Sequence, residues 1–404
     1  MRVLAGIFSI RRLTLMTVAA LVATNLATPP AHGQALTVLH AFKGARASDG
    51  ANPSGPMIRD AAGNLYGLTD YGGDLTCNCG TVFKLDRTGQ VTVLHSFTGS
   101  PDGSTPSGLI SDSAGNLYGT TAYGGDAACN CGILFKLDPA GNETVLHTFG
   151  TGLDGQRPET LVRDAAGNFY GVTYAGGSSF TCLLKPCGTI YELAANGTES
   201  VLYSFTGGAD GQYPVTITRD NAGNLYGTTV FGGNGCSTSQ GCGTIFELDT
   251  AGKETILHRF RGGTDGSYPF ATLIVDSKGN LYGAASGAGA YLYGTVFMLN
   301  FAHKFSVIYA FKGGADGSYP FGDLVRDATG NFFGTTTNGG IGNAGYGTVF
   351  KLSATGQHTL LHMFVHAEGA YPYGRLSLGA AGSLIGSTSS DGSFGNGTLF
   401  ELTH

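Results

Sequence analysis

The chain has 404 residues, enough for one large domain or two to three ordinary ones. Its 42% hydrophobic and 11% aromatic residues can fill a large core, which excludes a disordered chain, and 68 glycines with only 12% charged residues describe many short ordered elements joined by turns. With a net charge of −6 and no clustered Lys and Arg, a nucleic-acid surface is excluded.

In chain order, the first 12 residues hold Arg2, Arg11 and Arg12, followed by the apolar LTLMTVAALVATNLA and then TPPAHGQA, whose small residues suit cleavage after Gly33 or Ala35. This layout predicts a secretory signal peptide over residues 1–35, against the alternative of a retained anchor helix. Arg11-Arg12 carries little weight as a twin-arginine signal, because Thr14 stands where an aromatic residue is usual. No later run is long and apolar enough for a membrane span. The remainder, residues 36–404, is expected to be one exported domain, periplasmic or extracellular and monomeric.

That remainder repeats. GNLYG-type elements begin at Gly63, Gly115, Gly167, Gly223, Gly279, Gly330 and, degenerate, Gly382. GTVFKL-type elements begin at Gly80, Gly132, Gly188, Gly243, Gly294, Gly347 and Gly397. VLHxF-type elements centre on Leu39, Leu94, Leu146, Leu202, Leu257, Ile308 and Leu361. Seven copies of short β-type runs between glycine turns, with no helical periodicity, predict an all-β seven-bladed propeller with four-stranded blades. Strand a follows the proline of DGxxP, b is NLYGTT, c is GTVFKL and d is TVLHxF. DxxGN between a and b reads as a hairpin whose Asp accepts backbone N–H bonds. A lone d strand opens the domain at residues 36–42 and a lone c strand closes it at 397–402, so their pairing would complete blade 7 and remove an exposed edge.

Spacing selects a face. The GTVFKL glycine lies 14 residues before the next VLHxF centre in all six measurable cases, whereas GNLYG-to-GTVF spacing runs 17, 17, 21, 20, 15, 17 and 15. The variable b-to-c and d-to-a loops emerge on one rim, where binding sites on rigid scaffolds usually lie.

All eight cysteines fall in b-to-c loops of blades 1 to 4, an arrangement expected of disulfides in an exported protein. Cys182 with Cys187 and Cys236 with Cys242 can bridge locally, each contributing roughly 2 kcal/mol by chain entropy. Cys77 with Cys79 and Cys129 with Cys131 leave three alternatives: a local bridge helped by a turn at Asn78 or Asn130, a cross-link between the two loops, or a four-thiolate zinc site.

His40, His95, His147, His258 and His362 recur in strand d, with Tyr203 and Tyr309 replacing them, which favours hydrogen-bonded packing over metal ligation. An acid recurs in every d-to-a loop: Asp49, Asp102, Asp154, Asp210, Asp265, Asp316 and Glu368. Each is read as a turn former or as part of a ligand ring with the neighbouring tyrosines; the candidate binding residues are Asp210, Tyr213, Asp265, Tyr268, Asp316, Tyr319, Glu368 and Tyr371. His366, Glu368, Asp391 and Asp70 break the repeat and are the candidate acid/base groups, expected to meet where blades 7 and 1 close the ring. There is no GxSxG, HExxH or phosphate loop, and no metal or cofactor is expected.

GNLYGTTxxGG, GTVFKL and TVLHxF with GGADGSYP together resemble the GloVer-type tandem repeat of exported bacterial proteins, across residues 36–404. That resemblance implies a propeller-like fold and export; it supplies no catalytic residues. The repeat is also broadly similar to NHL-type propellers, which implies a binding platform more often than a lyase or hydrolase. The expected function is a binding or interaction module for a carbohydrate or an extracellular protein; the alternative is a hydrolase or lyase acting on an extracellular polymer.

The denatured, unreduced protein should show no alkylatable thiol by intact mass. Four titratable thiols released with stoichiometric zinc would establish the thiolate site instead.

Overall fold

The structure, a computed structural model, describes residues 34–44, 49–150, 152–179, 182, 187–236, 240–340, 345–379 and 382–403. The expected leader falls at 1–33, outside those residues, apart from its last two positions.

Each repeat becomes a four-stranded antiparallel sheet, and the seven sheets are the blades of a propeller. In blade 1, strands a to d are Ala51–Arg59, Leu65–Tyr71, Thr81–Leu85 and Val91–Ser96. In blade 7, strand d comes from the other end of the chain: Ala35–Ala41 pairs antiparallel with Thr398–Thr403, Leu36 opposite Leu402 and Ala41 opposite Thr398. The expected closure is therefore present. The DxxGN hairpins also form as read: Asp60 Oδ1 accepts the Asn64 N–H at 2.8 Å, and Oδ2 accepts from Asn64 Nδ2 and the Tyr66 hydroxyl.

Glycine in strand b makes room for the core. A Cβ on Gly67 would lie 2.6 Å from the Phe83 ring of strand c, and the same conflict recurs between Gly119 and Phe135, Gly227 and Phe246, and Gly386 and Phe400. The absent side chain is a slot for an aromatic ring. That ring then meets, edge on, the phenylalanine ending strand d of the preceding blade. Phe42–Phe83, Phe97–Phe135, Phe149–Tyr191, Phe205–Phe246, Phe260–Phe297, Phe311–Phe350 and Phe364–Phe400 have centroids 5.0 to 5.3 Å apart. All these rings are fully buried. Each pair is worth about 1 kcal/mol beyond its buried area.

A backbone bond repeats at the same joints. The residue before each a-strand proline is left-handed: Asn52, Thr105, Arg157, Tyr213, Tyr268, Tyr319 and Tyr371 have φ between 53° and 58°. Its N–H donates to the carbonyl before the strand c glycine of the preceding blade, as in Arg157 to Cys131 and Asn52 to Asn396. These residues are held in a sparsely populated conformation because the joint needs that donor.

Strand a differs from expectation. In blades 1 to 4 it begins before the proline, and the register breaks just after it, between Pro158 and Leu161 in blade 3. Residues in such a bulge leave the ladder, and here they line the axis. In blades 5 to 7 strand a shrinks to Ile274–Val275, Val325–Arg326 and Ser377–Leu378. There the residue after the proline is aromatic, and Phe270, Phe321 and Tyr373 pack on one another at 4.9 and 5.6 Å instead of lying flat in a ladder.

The cysteines pair locally in all four loops, with Cα separations of 5.1, 5.2, 5.4 and 5.6 Å, and no free cysteine remains. For the two Cys-Asn-Cys loops the turn is the decisive feature. Asn78 and Asn130 are left-handed at φ 57° and 55°, and their side-chain oxygens accept the N–H of Gly72 and Gly124 at 2.7 and 2.6 Å. The turn shortens the span to a bridgeable distance.

Removing residues 35–41 should expose the edge of Thr398–Thr403 and delete the Phe42 joint's support. A loss of about 5 kcal/mol, at roughly 2 °C per kcal/mol for a chain this large, lowers the thermal midpoint by about 10 °C. An unchanged melting curve would show that closure contributes nothing.

Candidate functional site

The bulges of blades 1 to 4 and the aromatic segments of blades 5 to 7 meet at the propeller axis, around a cavity of about 580 Å³. Its lining comes from the start of each strand a and the end of strand b, so it opens on the rim that carries the variable b-to-c and d-to-a loops. A narrower space of about 360 Å³ continues along the axis past Thr160, Thr272, Asp323 and Arg375, which line both.

The residue after the proline sets the character of each wall. It is Ser54, Ser107, Glu159 and Val215 in blades 1 to 4, then Phe270, Phe321 and Tyr373. One side of the cavity is thus hydroxyl and carboxyl, the other aromatic. The polar wall gains Asp70 from the end of strand b in blade 1, whose carboxylate accepts from the Ser54 hydroxyl. Burial pushes Asp70 up to about 6, only partly offset by that hydroxyl. Burial also pushes Glu159 up to about 7, with nearby Arg157 opposing and the Asp70 charge reinforcing the shift. Arg157 lies over the rings of Tyr123 and Tyr174 at 5.3 and 4.6 Å, and its buried Nε has no hydrogen-bond partner. Two carboxyls raised toward neutral pH, beside a guanidinium whose Nε is unpartnered, can exchange protons, and the guanidinium can attract an anion.

Of the residues expected at a site, Asp70 alone lines this cavity. His366 Nδ1 instead pairs with Asp391 Oδ2 at 3.1 Å on blade 7, with the histidine 69% exposed. Glu368 is taken by His362 at 2.8 Å and by the Val365 N–H. Nothing among the described residues links these three to Asp70 by hydrogen bond or ion pair. The other ring acids are likewise engaged within their own loops. Asp210 accepts from the Tyr203 hydroxyl at 3.0 Å, Asp265 pairs with His258 at 3.2 Å and Asp316 accepts from the Tyr309 hydroxyl at 2.6 Å; each also accepts the N–H of the residue four before it. Tyr213, Tyr268, Tyr319 and Tyr371 stand at the left-handed position beside the lining, with Tyr213 stacked on Tyr174 at 4.7 Å.

Three of the acid clamps meet the first residue of strand d in the next blade: Glu143, Phe305 and His358. Glu143 covers His95 and Asp102, and these three place their ligand atoms within 4.8 Å of one another. Burial, then Asp102, pushes Glu143 up to about 8, which favours its protonated form beside Asp102, while hydrogen bonds from His95, Glu143 and Thr98 outweigh burial and hold Asp102 low. Among the described residues this is the group with metal-ligand spacing; His95 Nε2 and Asp102 Oδ1 lie 2.8 Å apart, whereas buried Glu143 Oε1 has no hydrogen-bond partner. Phe305 covers the equivalent position on His258, stacked at 3.8 Å.

Arg157, Glu159, Asp323, Arg375 and the three aromatic residues were not singled out by the sequence reading. The available signal was variation at the two positions flanking the proline, where the seven repeats read NS, TS, RE, YV, YF, YF and YY around it.

The family described as the Gloeobacter/Verrucomicrobia repeat matches residues 26–184 and 182–400. No curated protein matches the chain in sequence. Among solved structures, a streptogramin B lyase is similar with a TM-score of 0.62 and 14% identity, over 92% of this chain and 97% of that one. Virginiamycin B lyase from Staphylococcus aureus gives 0.59 and 12%, over 92% and 100%. The extracellular domain of the putative one component system BT4673 from B. thetaiotaomicron gives 0.56 and 9%, over 86% of this chain and 38% of that one. At these identities the likeness is one of fold.

The clamps set a pH window. Asp102, Asp154 and Asp265 lie below the usual carboxylate range, so their contribution is present at neutral pH and lost as pH falls below about 4. Glu143 lies above it, so its contribution is full below about 4 and is lost as pH rises through about 8. Thermal stability should therefore peak on the mildly acidic side, and Glu143→Gln should raise the midpoint at pH 8.5 while leaving it nearly unchanged at pH 5. Parallel midpoint-versus-pH curves for the two proteins would contradict the protonated Glu143.

Proposed function

The chain belongs to the Gloeobacter/Verrucomicrobia repeat family, and we propose that it serves as an exported binding module whose axial cavity takes a carbohydrate. Four local disulfides support export, since such bridges persist in oxidising compartments. The observation that carries the ligand class is the two-sided wall. Phe270, Phe321 and Tyr373 offer ring faces to the C–H side of a sugar, while Ser54, Ser107, Asp70 and Glu159 offer hydrogen bonds to its hydroxyls. A concave cavity of about 580 Å³ suits a small ligand or the end of a chain better than the broad patch a protein partner needs. For longer saccharides, Tyr213, Tyr268, Tyr319 and Tyr371 extend the contact outward, and the clamped acids Asp210, Asp265, Asp316 and Glu368 hold the loops that carry it.

A second reading, a hydrolase or lyase, is favoured by one feature. Burial raises Asp70 to about 6 and Glu159 to about 7 in one cavity, bringing both toward the pH range of general acid/base work. Cleavage of a bound polysaccharide, abolished by Glu159→Gln and seen as new chain ends, would establish it.

For the binding reading, a glycan array with the purified protein should identify a saccharide whose affinity falls by about 1 to 3 kcal/mol on Tyr373→Ala or Phe270→Ala. Tyr268→Ala with Tyr319→Ala should matter only for chains long enough to reach the rim. A ligand whose binding is insensitive to every lining substitution would place recognition elsewhere.

A further inference from the structure

The polar wall is not uniformly acidic, and the exception is structural. Arg157 occupies the position that is tyrosine in four blades, and its guanidinium is held between Tyr123 and Tyr174. Among the described residues no ion pair closes it, and its buried Nε lacks a hydrogen-bond partner. A guanidinium that lines the cavity while lying over two aromatic rings is a planar fork that matches a carboxylate. A second guanidinium, that of Arg375 in blade 7, lines the same cavity.

We propose that the cavity selects an acidic saccharide, one bearing a uronate carboxylate, which Arg157 grips edge-on while the sugar ring lies against the aromatic wall. This rests on the carbohydrate reading above and narrows its ligand class. The groups acting on Glu159 are Arg157 on its own strand, Tyr174 from strand b of its blade and Asp70 from blade 1, and Asp323 and Arg375 from blades 6 and 7 line the same cavity. With Asp70, Glu159 and Asp323 all ionised, negative charges in the cavity outnumber the two arginines. With Asp70 and Glu159 protonated, the balance turns positive. Burial already holds those two carboxyls near neutral pH, at about 6 and about 7, so mild acid converts the cavity from anion-repelling to anion-attracting. Binding of a carboxylate is then linked to proton uptake, and affinity rises as pH falls from about 8 to about 5.5.

The test uses tetragalacturonate and its methyl ester, which share a sugar backbone and differ in charge, with titration calorimetry on the full chain at pH 5.5 and 8. The expected result is at least about tenfold tighter binding of the acid form at pH 5.5, shrinking to near parity at pH 8. Arg157→Tyr should remove the preference; tyrosine fits there, since Tyr213, Tyr268, Tyr319 and Tyr371 hold the same left-handed conformation. Glu159→Gln should keep the preference at pH 8. If the ester binds as well as the acid at pH 5.5, and Tyr373→Ala weakens both, selection for uronate is overturned while the carbohydrate reading stands. If neither form nor any neutral saccharide binds, both fall.

Discussion

The aromatic joint between neighbouring blades is the constraint on which the rest depends. A phenylalanine at the end of strand d reaches over the next blade and meets a strand c ring that occupies the space a strand b glycine leaves open. Because both partners are fully buried and the contact recurs at all seven joints, the angle between blades is set by ring geometry as much as by loops. Two-layer sheet packing needs flat apolar faces pressed together; here one large ring per joint supplies much of that contact. The first and last residues of the domain obey the same rule, since Phe42 makes the joint to blade 1 and Phe400 accepts the one from blade 6.

Rigid joints allow the axis to vary. The N–H of the left-handed residue before each proline is committed to the preceding blade, so the backbone there is pinned while its side chain is free to change. The residue two positions on, just after the proline, faces the cavity. The seven positions after the prolines can therefore carry serine, glutamate, valine, phenylalanine or tyrosine without altering the scaffold, and that substitution pattern makes one wall polar and the other aromatic. Strain at the pinned residue persists because the surrounding joint over-determines it.

The clamped acids show why residue type alone misleads. A carboxylate beside a histidine in an exposed loop has the composition of a catalytic or metal site, yet here the pair closes a d-to-a loop, accepts a backbone N–H and is roofed by the next blade. Its regular recurrence in the sequence is what a structural role predicts. The cavity wall, by contrast, varies where the repeat is broken, and Asp70 was visible on that criterion because only blade 1 carries an acid there.

Repeat number, blade composition, ring closure and the DxxGN hairpins were all legible in the amino-acid order. Each follows from local chemistry repeated seven times: glycine where a turn or a close approach demands it, aspartate where backbone donors need an acceptor, apolar runs where both faces are covered. The local pairing of Cys77 with Cys79 was legible only as an alternative, since it turns on the left-handed backbone of Asn78. The cavity was not legible. Arg157, Glu159, Phe270, Phe321 and Tyr373 belong to four different blades and lie as far apart as 216 positions in the chain; only closure of the ring brings them to one axis. Whether a carboxyl there is charged was likewise decided in three dimensions, because burial and the approach of Asp70 toward Glu159 exist only once blades 1 and 3 face each other across the channel.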